Sequence, residues 1–187
     1  MQIPAAIIST VMRILDIGLL EEVSAARPGW QFILVGPIVK IDPAILPRRP
    51  NIHYPGPKKY ADLPAYLSAW DIAMIPFVLN PRTEFISPTK TPEYLAGGKP
   101  VISPSIADVV KPYGESGFVS IADTGAEFIA AAEELIQNGV PRGWLGRVDN
   151  FLSGRSWEKT INEMVALIAT GLKGKETAKP QKSQSYV

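Results

Sequence analysis

Short, wholly apolar runs alternate along this chain with stretches of helical period, and that alternation restricts the fold more than any other feature. A strand that is apolar on both sides, such as QFILV at 31–35, needs cover on both faces. A mostly parallel sheet between two helical layers supplies that cover. Strands are predicted over residues 6–11, 31–35, 51–54, 71–75, 101–103 and 118–121. A first helix is predicted from a cap at Asp16, with Leu19, Leu20, Val23 and Ala26 on one face and a stop at Pro28-Gly29. A second spans 62–70 with Leu63, Tyr66, Leu67 and Trp70 inward, and a third spans 90–96, broken by Gly97-Gly98. Thr124 and Glu127 have capping-box spacing and open a fourth, running to about residue 137. Two more follow: 141–151 with Trp144 and Leu145 inward, and a last helix capped by Ser156, with Trp157, Ile161, Met164, Val165 and Ile168 on its inner face.

The chain has 187 residues, enough for one domain with a sizeable core. That domain is expected over 1–172, with a disordered Lys-, Gln- and Ser-rich tail over 173–187. A net charge of +1 with scattered basic residues gives no nucleic-acid footprint. The absence of cysteine excludes disulfides and thiolate chemistry, and a lone histidine, His53, argues against a zinc site of His and Cys ligands. No apolar run reaches the roughly 18 residues of a membrane span. The opening MQIPAAIISTVM lacks a basic start and is read as a core strand rather than a leader. The expected location is cytoplasmic, with peripheral membrane association left open.

In an open parallel sheet, ligands bind beyond the carboxyl ends of the strands. Three polar loops follow strands here: 36–40, 80–89 and 103–108. The middle one leads into a helix start near Thr89, where unpaired N–H groups favour an anion and Pro92 is tolerated. Lys90 adds a full positive charge, and Glu93 lies three residues on, beside it on one face. A carboxylate accepts two hydroxyl hydrogen bonds, which suits a ribose diol beside a diphosphate. The same spacing equally describes an exposed i,i+3 ion pair, and pattern alone does not choose between them.

The stretch SPTKTPEYLAGGKPVIS resembles the donor-site signature of the retaining GT-B glycosyltransferases of the large family 4 group. NIHYPGPKKYADLPAYLSAWDIAMIPF is similar to the strand, Gly turn, helix and Asp strand that precede it there, QFILVGP to the second strand, and SWEKTINEMVALI to the C-terminal helix. The resemblance covers roughly residues 11–172. It implies a Rossmann-like domain that is one half of a GT-B fold, binding a nucleotide-diphosphate sugar without a metal; the sequence contains no Asp-x-Asp motif. Glu93 is then expected to hold the ribose hydroxyls, and Lys90 and Arg13 the diphosphate. Ser87 and Thr89 are expected to donate to phosphate or sugar oxygens, Tyr60 and the Gly56-Pro57 turn to lie near the base, and Gly36 to line the crevice.

Three departures accompany the resemblance. The acceptor-binding half is expected to be missing, so a bare apolar patch or a self-association surface is expected in its place. The first loop, residues 9–13, lacks a glycine. Where the family often carries a second Glu, eight residues before the first, this chain has Phe85, with Glu84 one place out of register. The alternatives to a donor domain are a non-catalytic nucleotide- or partner-binding module and a nucleotide-sugar epimerase. His53 lacks an orienting carboxylate nearby and is read as structural. Trp30, Trp70, Trp144 and Trp157 are read as packing residues. Asp108 is read as either facing the crevice or capping the turn at Val109-Val110.

Overall fold

The computed structural model describes residues 5–8, 14–155 and 157–177; the side chains of 5–8, Trp157 and 173–177 are outside that description. The chain divides into two compact units, Met1–Val148 and Asp149–Val187.

The first unit is built on six parallel strands in two three-stranded sheets. β1 (Ala5–Ile8), β2 (Gln31–Val35) and β3 (Ile52–Gly56) form one; β4 (Ala73–Met74), β5 (Val101–Ser103) and β6 (Val119–Ile121) form the other. All four pairings are parallel. β1 lies beside β4, so the spatial order is 3-2-1-4-5-6. This is the doubly wound arrangement, whose switch point falls between β1 and β4. The segments beyond those two strands are tied together there. Asp16 N–H donates to Pro76 O at 2.8 Å, Val78 N–H donates to Ile14 O at 2.8 Å, and Leu15 bridges Phe77.

α1 (Ile17–Ala26) starts where Asp16 accepts a hydrogen bond from Leu19 N–H at 2.8 Å. It buries Leu19, Leu20, Val23 and Ser24. Ala26, expected on the same face, is exposed. Ser24 is inward instead, its hydroxyl satisfied by Glu21 O at 3.1 Å. The end of α1 is held by Asn51, whose amide donates to Ser24 O and Arg27 O. α1 packs beside α5 (Gly125–Asn138), and Arg27 pairs with Glu133 at 2.7 Å. Between these helices and the sheet lie Leu20, Phe32, Leu34, Ile72, Met74, Ile102 and Phe128.

Side chains alternate across a strand, so Ala73, Ile75 and Val101 face the other way. There α2 (Leu63–Ser68), entered by a 3₁₀ turn at Tyr60–Asp62, and α3 (Lys90–Ala96) supply the cover. Trp70 meets Tyr94 edge to face, their ring centroids 6.0 Å apart. α3 ends on Gly97-Gly98 for two reasons. A Cβ on Gly97 would lie 2.2 Å from Leu67 Cδ2, and Gly98 has φ +70°. α4 (Ala107–Val109) runs into a π turn at Val110–Gly114. α6 (Trp144–Ser153) buries Trp144 and Val148, four residues apart. Leu145, expected inward, is 48% exposed because one residue on a helix is a turn of about 100° away from that stripe.

α7 (Trp157–Thr177) belongs to the second unit. Ile161, Met164, Val165 and Ile168 have the spacing of an inner face, yet each is more than half exposed. Helical period identifies a stripe but not what covers it. The helix continues to Thr177, past the expected tail boundary at 173, and residues 178–187 lie outside the described residues. The predicted strand 6–11 is seen as Ala5–Ile8; residues 9–11 and Ser156 also lie outside them.

Candidate functional site

Because every strand runs the same way, the loops that leave their carboxyl ends gather on one edge of the sheet. Gly36 ends β2 with φ 138°, buried, its N–H on Gly56 O at 3.1 Å. The loop beyond it carries Lys40, whose φ of 57° is left-handed and strained for a residue with a side chain. Tyr60 follows β3 and is 89% exposed. Ser105 N–H, after β5, is held by Asp123 Oδ1, after β6, at 2.7 Å. Asp123 and Thr124 in turn donate their N–H groups to Glu127, and Thr124 accepts from Glu127 N–H, the reciprocal box expected at this helix start. These backbone hydrogen bonds hold the Glu127 carboxyl below its ordinary range.

The loop after β4 is firmer than a polar, proline-marked sequence suggests. Asn80 N–H donates to Thr83 Oγ1 at 2.9 Å, and Arg82 N–H donates to Asn80 Oδ1 at 2.8 Å. Thr83 and Glu84 N–H both return to Asn80 O, and the Thr83 hydroxyl reaches Val78 O. Thr83 is 1% exposed. The sequence sign of this anchor is an Asn-x-x-Thr pair, in which both side chains can bond to nearby backbone. On this frame Glu84 and Phe85 point out, Phe85 at 76% exposed. Ser87 and Thr89 are also exposed.

α3 then begins. Lys90 Nζ donates to Glu93 Oε2 at 2.7 Å, with both side chains partly open to solvent. The ion pair is therefore present, at the place where an anion site was expected. Thr89 gives no side-chain cap. Thr91, one residue on, is fully buried and its hydroxyl has no hydrogen-bond partner. Of the expected site residues, the structure brings Lys90 and Glu93 into contact. It puts Gly36, Tyr60, Glu84, Ser87 and Thr89 on the same edge. Arg13 lies outside the described residues. Asp108 sits inside α4, exposed, with Ile106 at the cap position, so it does not cap the turn. His53 is on β3, where Nε2 lies 2.6 Å from Gln31 Oε1 on β2, a cross-strand link. Trp70 and Trp144 are buried and Trp30 packs against the core. Among the described residues no cluster of three or more His, Cys, Asp or Glu is placed to hold a metal, and no helix is long and apolar enough to cross a membrane.

A doubly wound parallel sheet gathers its loops at the carboxyl edge, the place where open α/β folds take their ligands. Residues 17–138 match the family model described as glycosyl transferases group 1, more than half of the chain. The chain belongs to that family, and its fold is that of one Rossmann-like half of a GT-B protein. It is 34% identical over 132 residues to TuaH of Bacillus subtilis (strain 168), named as a teichuronic acid biosynthesis glycosyltransferase. That match takes in 67% of this chain and 33% of the relative, so the chain spans about a third of the relative's length. Among solved structures, HepE of Anabaena in complex with UDP-glucose superposes with a TM-score of 0.68 at 16% identity, over 91% of this chain and 49% of that one. Sucrose-phosphate synthase of Thermosynechococcus elongatus gives 0.66 at 17%, over 91% and 46%. The C-terminal domain of the group 1 glycosyl transferase LpcC of Francisella tularensis gives 0.61 at 13%, over 82% of this chain and 87% of that one.

Proposed function

We propose that this chain holds the donor in a glycosyl transfer, binding a nucleoside-diphosphate sugar at the carboxyl edge of its sheet. The observation that carries the reading is the Lys90–Glu93 pair at the start of α3, directly after the loop at the switch point, in a member of the group 1 glycosyl transferases. An exposed pair of this kind contributes about 0–1 kcal/mol, so separating it costs little. A hydrogen bond from a charged group contributes about 1.5–3 kcal/mol. The balance favours opening the pair onto a ligand that offers an anion to Lys90 and a diol to Glu93. A diphosphate next to a ribose offers both.

In this reading Lys90 and Arg13 neutralise the diphosphate. As the bond from the anomeric carbon to the diphosphate oxygen breaks, its electron pair leaves with the diphosphate, the acceptor bonds to that carbon and its proton goes to the departing diphosphate, and fixed positive charge there stabilises the transition state. The lysine and arginine take the part a metal plays elsewhere. Ser87 and Thr89 donate to phosphate or sugar oxygens, and Gly36 lets the backbone approach closely. The acceptor is held elsewhere, and the retaining outcome follows from the family resemblance.

Calorimetric titration with UDP and with GDP tests the site. One of them is expected to bind wild type, with binding weakened in both Lys90→Ala and Glu93→Ala. Absence of binding by wild type, or equal binding by wild type and both variants, contradicts the assignment.

A further inference from the structure

Every described side chain of α7 is exposed, although the helix runs for 21 residues. A helix without packing is poorly stable in water, and Gly171 and Gly174 inside this one each cost about 1 kcal/mol relative to alanine. Cover for its apolar side chains would stabilise it. Ile161, Val165, Ile168 and Leu172 recur at alternating intervals of four and three residues, the repeat of a coiled-coil seam. Each of them is more than half exposed. Leu167, at 74% the most exposed apolar residue described on the helix, lies off that seam.

The seam ends on opposite charges. Glu158 stands three residues before Ile161, and Lys175 three after Leu172, each at the next position of the same repeat. The six positions have the same spacing from either end. Two copies laid antiparallel therefore match throughout: Ile161 meets the partner's Leu172, Val165 meets the partner's Ile168, and Glu158 meets the partner's Lys175. Such a pairing is isologous, as a two-fold axis requires. A parallel pair would set Glu158 against Glu158 and Lys175 against Lys175, with the two helix dipoles aligned. Charge thus selects the antiparallel direction. The polar positions carry Glu163 as well as Lys159, and so lack the cationic face that suits an anionic lipid surface.

We propose that α7 pairs with the α7 of a second copy of this chain, as an antiparallel two-fold coiled coil. The pairing does not depend on the donor reading given above. The four apolar seam residues and Met164 beside them are all more than half exposed. At about 100 Å² for each such side chain, two copies together bury about 1,000 Å², the size at which specific interfaces begin. An interface so small makes a reversible dimer, with a dissociation constant of about 1–100 µM.

Sedimentation of the full chain over about 1–200 µM should show a monomer–dimer equilibrium. Val165→Asp, which puts a charge in the middle of the seam, should weaken the dimer about thirtyfold or more, and Leu167→Asp should leave it unchanged. The chain has no cysteine, so its direction can be trapped as a disulfide. Ile161→Cys and Leu172→Cys chains, mixed under mild oxidation, should form the mixed disulfide, and neither should do so alone. Identical seam positions at 161 lie about 16 Å apart along the axis of an antiparallel pair, beyond the reach of a disulfide. This second arm keeps the test decisive if Val165→Asp unfolds α7. A monomer throughout the range, a dimer undiminished in Val165→Asp, or equal weakening in Leu167→Asp overturns the proposal. So does the absence of the mixed disulfide, or disulfides formed by each single variant alone, which would show a parallel pair.

Discussion

The two edges of the sheet are built from the same strands and differ in what they offer a ligand. At the amino edge, where β5 and β6 begin, a pocket of about 330 Å³ is lined by Val101, Phe118, Leu135 and Trp144, with Glu134 and Asn138 among its polar residues. No lysine or arginine lines it, and the carbonyl end of α5 closes one side. A helix carboxyl end and a glutamate both disfavour an anion. The carboxyl edge presents Lys90, hydroxyl-bearing loops and two exposed rings. The hollow thus sits at the edge whose charge disfavours a diphosphate, and the proposed donor site sits on the other. Hollow size follows from how helix ends pack, whereas ligand chemistry follows strand direction.

The largest effect should come from breaking the amino edge. Trp144 is 3% exposed, and Trp144→Ala should cost about 3–5 kcal/mol in denaturant unfolding while diphosphate affinity of the folded fraction is kept. A loss of affinity with little loss of stability would reverse the roles of the two edges. Lys90→Ala should do the opposite. Diphosphate affinity should weaken about ten- to a hundredfold, as expected for a charged hydrogen bond, with stability changed by under about 0.5 kcal/mol for so exposed a pair.

Next comes the cap at the carboxyl edge, where Thr124→Ala should cost about 1 kcal/mol. The Glu127 carboxyl is held below its ordinary value near 4.5 by the N–H groups of Asp123 and Thr124. Its contribution is therefore complete above that value and is lost as the pH falls through the lowered one. In unfolding measurements from pH 6 to pH 3, wild type should lose stability relative to Glu127→Gln, and parallel profiles would count against the box. The smallest effect belongs to Thr91, whose buried hydroxyl is unsatisfied. Thr91→Val keeps the shape and should be neutral or stabilising by up to about 1 kcal/mol. Destabilisation would mean the hydroxyl has a partner.

Where the local signal was strong, sequence and structure agree to the residue. α3 over Lys90–Ala96 and β5 over Val101–Ser103 lie between a proline-marked start, a Gly-Gly stop and Pro100, and each is a backbone constraint that works without tertiary contacts. The capping box is equally local. What the sequence left unread depends on partners distant in the chain. The i,i+3 spacing of Lys90 and Glu93 allows an ion pair and a ligand site alike, and the pair is formed. Leu145 and the stripe on α7 carry a core period, but burial is decided by what packs against them. The rigidity of 80–86 was hidden because Thr83 gains its value from burial, which composition does not reveal.

Hydrogen exchange with and without saturating UDP or GDP compares the two edges in one experiment. The account predicts slowed exchange at the amides of residues 80–91 and no change over 117–119 and 134–140. Protection confined to 117–119 and 134–140, with 80–91 unaffected, would place the ligand at the amino edge and contradict it.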